Sequence, residues 1–247
     1  MRISYLLAGL ALATVRPAAA QTMNNQLWFE YMLNYPFANS WNVELAGTYS
    51  TLLESPRWQS LDIQVTPEYS LSPNVDLQGA ILYNRTNQYQ SLSSTELRYM
   101  IGTRIHLTPN SRILTRLLLR LEQRNMHYEE TKTDEQSTRA RLRLETLTPV
   151  NGTSMFTGDK LWYVIADAEV FSAIDKQVDE RFANRYRIRL GPGFRLNYTW
   201  RFEFLYSLQG SRNTIAGDFE TVDHLFRFRV KHFLHKSRPA AVQGNGN

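Results

Sequence analysis

The chain of 247 residues contains no cysteine. That excludes a disulfide frame, thiolate metal sites and thiol redox chemistry. Beyond residue 20 there is no run of about 18 apolar residues, so a helical membrane protein is excluded. Long stretches of helical periodicity are missing too, as are the Gly-x-Ser-x-Gly pattern of a nucleophile elbow and the Asp-x-Asp-x-Asp-Gly pattern of a calcium loop. The charge excess is small: 28 Lys and Arg against 23 Asp and Glu give +5. Such an excess attracts polyanions weakly. No nucleic acid, cofactor or metal is expected as a partner.

The chain opens with "MRISYLLAGLALATVRPAAAQ", in which Arg2 precedes the apolar run Ile3 to Val15 and the small residues Ala18, Ala19 and Ala20 follow. That is the layout of a secretory signal peptide, with cleavage expected after Ala20. Loss of residues 1–20 removes Arg2 and Arg16 and lowers the charge to +3. Residues 21–233 read as a single barrel, and 234–247, "LHKSRPAAVQGNGN", as a disordered tail.

From Trp41 the sequence runs "WNVELAGTYST": Trp41, Val43, Leu45 and Tyr49 fall on one parity, Asn42, Glu44, Thr48 and Ser50 on the other. Period two over about ten residues predicts a strand with one apolar and one polar face. The pattern recurs near 26–37, 61–71, 75–84, 94–107, 112–124, 137–147, 161–171, 181–196, 200–209 and 223–233. The fold class is all-β. Connections at "FANS", "SPN", "TPNS" and "LNYT" are short and rich in turn formers, whereas those near 51–58, 85–93, 125–136, 172–180 and 210–222 are longer and polar. Residues 148–160 break this alternation. Tight turns at one end and long loops at the other are the plan of an outer-membrane barrel, with short periplasmic turns and long extracellular loops. Eleven strands can be counted, but single-chain bacterial barrels have an even number. The expectation is therefore a transmembrane antiparallel β-barrel of about twelve strands (10–12), with the missing one hidden in 148–160, in the N-terminal segment or within a long strand.

Three stretches set an arginine beside an apolar residue several times over: "RARLRL" at 139–144, "RYRIRL" at 185–190 and "FRFRVK" at 226–231. In a soluble sandwich the arginines would face water; in a membrane barrel they would face the lumen and the apolar residues lipid. Aromatics near strand ends (Trp41, Tyr83, Trp162, Trp200, Phe226), strands of about ten residues, and an export signal without cysteine favour the barrel. Three arginines on the lipid face of one strand would cost about 6–12 kcal/mol. They must point inward.

The expected lumen carries one acidic wall, with Glu44, Asp62, Glu68, Asp76 and Glu96, and one basic wall, with Arg116, Arg120, Arg139, Arg141, Arg143, Arg185, Arg187, Arg189, Arg227 and Arg229. Arginines two apart on a strand sit about 7 Å from each other and repel unless counter-charges intervene. Those charges come either from an anionic solute, making the barrel a narrow pore for small anions, or from acids across the lumen, making it a closed structural barrel. A lipid-modifying enzyme is a third reading, resting on His224, which shares parity with Phe226 and Phe228. No Ser stands two residues away from it, no His-x-Ser pattern occurs, and no catalytic residues are assigned. The expected partners are outer-membrane lipids, lipopolysaccharide and small anionic solutes, and the expected state is a monomer in the outer membrane of a Gram-negative bacterium.

The runs "SLDIQVTPEYSLSPNVDLQGAILYNRTNQ", "ELRYMIGTRIHLTPNSRILTRLLLRLEQRN" and "ERFANRYRIRLGPGFRLNYTWRFEFLYSLQGSRN" are similar to the bacterial outer-membrane family known only as domain of unknown function twenty-four-ninety. The shared elements are Trp28, a "YNRTNQ"-like strand end, an Arg-rich strand ending in Gln123-Arg124, and a late Arg-x-Arg strand followed by an aromatic one. The resemblance covers about Trp28 to Phe233. It implies an outer-membrane barrel and no particular activity. The arginine ladders also resemble, in charge pattern alone, those of narrow sugar-acid porins. The aromatic expected at a barrel's C-terminus is Phe233, and here a tail follows it.

Overall fold

The computed structural model describes residues 25–53, 58–88, 93–174, 185–212 and 219–234. The signal peptide read at 1–20 and the tail from 235 on lie outside them. The strands are β1 Asn25–Ala38, β2 Trp41–Leu52, β3 Trp58–Ser72, β4 Val75–Gln88, β5 Ser94–His106, β6 Leu114–Tyr128, β7 Thr133–Pro149, β8 Leu161–Ala173, β9 Arg185–Arg195, β10 Trp200–Arg212 and β11 Phe219–Phe233. Each pairs antiparallel with the next in sequence, and β1 pairs with β11 to close a barrel. No helix is present among the described residues.

The strand number is eleven rather than twelve. Residues 150–160 make bends, not a strand, and the 17-residue β7 is a single element. An odd count has a geometric consequence: the first and last strands run the same way. The β1–β11 closure is therefore parallel, and the expectation of an antiparallel sheet throughout is corrected at this seam. Parallel pairing is slightly weaker per residue, and side chains reinforce it on both faces. Inside, Glu30 accepts hydrogen bonds from Arg229 Nε and, at 3.3 Å, from Arg227 Nη1. Outside, Phe29 stacks on Phe228 with ring centroids 5.8 Å apart.

The expected contrast in loop length is blunted. One end of the barrel carries connections 39–40, 73–74, 107–113, 150–160 and 196–199; the other carries 53–57, 89–93, 129–132, 174–184 and 213–218. The segment 125–136, expected as a long loop, is mostly strand around a turn at 129–132. Polar side chains do not end a strand whose ladder still finds a partner: His127 and Asp134, opposite each other across β6 and β7, pair at 2.7 Å.

The polarity is inside-out. Ile81, Ile101, Ile188 and Leu190 on the outer face are each more than half exposed, while the charged residues of the same strands are mostly turned inward. The charged side chains that do point outward among the described residues, Arg85 and Asp134, sit near strand ends. At the end formed by the turns 39–40 and 196–199, aromatic rings form chains on the outer face: Tyr35, Phe37, Trp41 and Tyr69 in sequence, Trp162 on Phe194 at 4.7 Å, and Trp200 on His232 at 4.0 Å.

The compact apolar core lies inside the wall at that same end, where Leu114, Leu147, Leu161, Tyr163, Ile165 and Leu205 pack with Met155 of the 150–160 connection. Arg195 holds this connection in the mouth: its Nη1 donates to the Met155 carbonyl at 2.7 Å and its Nη2 to the carbonyls of Thr157 and Gly158.

Candidate functional site

Alternation along each strand delivers one charged or polar side chain to the lumen every second residue. All ten arginines expected there (Arg116, Arg120, Arg139, Arg141, Arg143, Arg185, Arg187, Arg189, Arg227 and Arg229) line a central cavity of 2090 Å³. So do the five acids Glu44, Asp62, Glu68, Asp76 and Glu96. The cavity reaches Ser40 and Pro73 in the turns at one end, and Gln26, Leu52 and Gln88 at the other.

Counter-charges run around the wall, between the same or nearby strands. Glu122 accepts from Arg139 at 2.7 Å and lies 3.4 Å from Arg141 and 3.6 Å from Arg98. Glu169 pairs with Arg141 and lies 3.6 Å from Arg187 and 3.8 Å from Arg189, whose Nε is bound to Asp167 at 2.7 Å. Glu96 takes Arg98 at 2.7 Å and Arg124 at 2.9 Å. Glu203 takes Arg229 and Lys231, both at 3.0 Å. The basic wall foreseen from the sequence is thus interleaved with acids, whereas β2 to β4 bring four acids and no arginine to the cavity, meeting the basic residues where Arg104 of β5 takes Glu68 at 2.5 Å and lies 3.8 Å from Asp76; at the seam Glu30 pairs with Arg229. Each of these pairs joins residues of the same or nearby strands and none reaches the opposite wall.

Opposite the arginines, β2 to β4 present short neutral side chains between the acids Glu44, Asp62, Glu68 and Asp76. Ala46, Thr48, Ser50, Ser60 and Thr66 all line the cavity. Their polar atoms satisfy one another: Asn84 Nδ2 donates to Ser60 Oγ at 2.6 Å, and Gln64 Nε2 to Thr66 Oγ1 at 2.7 Å. Short residues on one side and long ones on the other displace the open space toward β2–β4. Fifteen Arg and Lys line the cavity against nine Asp and Glu; with the buried Arg195, Glu122, Asp167 and Glu169 the count is sixteen against twelve, a surplus of four positive charges.

No lumen role is assigned from the sequence to the lining aromatics Trp28, Trp58, Phe156 and Phe171. Arg227 and Arg187 lie 4.5 and 5.6 Å from the Trp28 ring, and Arg139 and Arg141 lie 4.8 and 5.1 Å from the Phe171 ring. Trp58 lines the same cavity. The signal was available, because Trp28 shares parity with Glu30, and Phe171 with Glu169. Arg112, the first residue of the strand expected over 112–124, instead sits in the 107–113 connection and donates to the Pro149 carbonyl at 3.2 Å.

A family model described as Protein of unknown function (DUF2490) matches residues 25–219. The chain belongs to this family. The match spans β1 to the start of β11, and so most of the wall that builds the cavity. No curated protein matches the chain.

His224 lies on the outer face, its Nδ1 2.6 Å from the Tyr206 hydroxyl and its ring stacked on Tyr206 at 5.9 Å. Among the described residues no group of three or more His, Cys, Asp or Glu could hold a metal ion.

Proposed function

We propose that this DUF2490 protein is an outer-membrane barrel through which small anionic solutes cross. The carrying observation is the single cavity that reaches both ends of the barrel and is lined by a net positive wall. An apolar outer face supports immersion in lipid: burying each exposed apolar Å² is worth about 25 cal/mol, and an aqueous setting would forfeit that over the whole circumference. The aromatic chains at one end suit a membrane–water interface. Lipids and lipopolysaccharide are then the surroundings of the outer wall, and one chain suffices for a closed passage.

Charge on a pore wall selects the ion of opposite sign. Here the surplus faces a wall on which hydroxyls and amides, able to replace a solute's hydration without binding it strongly, alternate with Glu44, Asp62, Glu68 and Asp76. The reading is of a passage and not of an enzyme; His224, stacked and hydrogen-bonded with Tyr206 on the outer face, fits an interfacial anchor. Planar-bilayer recording on the refolded, signal-free chain tests the proposal. A salt gradient should give discrete openings whose reversal potential favours anions. The absence of discrete conductance, or a cation preference, would end this reading.

A further inference from the structure

Carboxylates occupy most of the lumen arginines, so the surplus charge has an address. Arg120, Arg143 and Arg201 line the cavity with no carboxylate within 4.0 Å among the described residues; Arg201 lies 4.4 Å from the Phe233 ring at the end of β11, which leaves Arg120 and Arg143 as neighbours in mid-wall. Arg120 reaches only the Gln78 Oε1 at 3.4 Å and the Met100 sulfur at 3.5 Å. Arg143 makes no hydrogen bond to the protein among the described residues, and its Nε is buried from solvent without a partner. A guanidinium nitrogen left this way is costly unless a ligand accepts from it. The acids nearby are already engaged: Glu122 by Arg139, Arg141 and Arg98, Glu145 by Arg116, and Glu169 by Arg141.

The register places the pair side by side. Arg143 of β7 stands opposite Leu118 of β6, and Arg120 is the next inward residue along β6. On the other flank of Leu118 stands Arg104 of β5, itself neutralised by Glu68. Leu118 is 2% exposed, so the side chain that separates the two arginines is apolar. Both arginines line the cavity. Two adjacent planar forks suit an anion with several oxygens pointing in different directions; a single carboxylate would occupy one fork and leave the other bare.

We infer that Arg120 and Arg143 form a binding point for a compact tetrahedral oxyanion of the phosphate class, free or as the head of a small ester. The inference deepens the anion-passage reading and rests on it for how the ligand enters. Because neither arginine forms a direct ion pair, replacing both leaves Glu122, Glu145 and Glu169 with their own arginines, and the double variant should refold.

Isothermal titration of the refolded protein in non-ionic detergent, at mildly alkaline pH where phosphate is a dianion, tests it. Inorganic phosphate and glycerol phosphate serve as probes, with chloride as the background anion. Saturable binding by the wild type is expected, weakened at least tenfold in Arg120→Gln/Arg143→Gln with an unchanged circular dichroism spectrum. Tighter binding of glycerol phosphate assigns the ester, and tighter binding of inorganic phosphate the free ion. No saturable binding of either probe, or equal binding by the double variant, overturns the inference. Should the double variant not refold, Arg143→Gln alone must still weaken binding. A conducting wild type that fails to bind sinks this site and leaves the passage standing; a binding but non-conducting one does the reverse.

Discussion

Glu169 illustrates how the interior is held at the level of single residues. Its side chain is fully buried and gathers Arg141, Arg187 and Arg189 from the two strands beside its own. Removing one member of such a group leaves charges buried without compensation, which costs about 3–5 kcal/mol. Glu169→Ala should lose stability of that order in urea unfolding from lipid vesicles. Arg143→Gln, which breaks no ion pair, should cost far less in the same assay. Equal losses in the two variants would mean that the pairing around Glu169 is not what stabilises the wall. Strand parity made the inward direction of these residues legible in the sequence. It could not say which acid meets which arginine, because alternation leaves the register between neighbouring strands undetermined.

Among the elements, β9 shows why a strand can need glycine. Gly193 faces inward where Tyr163 of β8 crosses over it to place its hydroxyl 2.7 Å from Glu203 of β10; a Cβ on Gly193 would lie 2.3 Å from the Tyr163 ring. Gly193→Val should therefore displace Tyr163 and destabilise the barrel by about 1–3 kcal/mol, the usual cost of overpacking. A melting temperature within error of the wild type would show that the ring has room to move. The seam is the second place where elements decide stability. Glu30→Gln weakens the inner clasp between β1 and β11, and hydrogen exchange should speed up in these two strands before the others. Exchange that rises evenly round the barrel would contradict a locally held seam. The existence and type of the strands were legible from period-two alternation. Their ends were not, since ladders extend past the apolar band. The odd count was legible in the eleven alternating segments and was outweighed only by the even number usual for such barrels, whereas the parallel closure was not, because it joins β1 and β11 from opposite ends of the chain.

For the molecule as a whole, the inside-out arrangement was legible because arginine and hydrocarbon alternate on the same strands, as in "RYRIRL". The open space was less so. It depends on the small side chains of β2 and β3 facing the long ones of β6 to β9, a difference in volume that a charge pattern does not express. Polarity predicts a directional penalty: Leu142→Arg, on the outer face at mid-strand, should cost about 2–4 kcal/mol in lipid, measured by reversible unfolding from vesicles. A cost near zero would place Leu142 in water. The most direct measurement uses the absence of native cysteine. Protein carrying Thr48→Cys or Ile81→Cys is reconstituted in vesicles and exposed to a small, negatively charged, water-soluble thiol reagent. Thr48→Cys, facing the cavity, should react quickly, and Ile81→Cys, facing outward, should stay protected. Fast labelling of Ile81→Cys, or no labelling of Thr48→Cys, would contradict a water-filled passage walled by lipid.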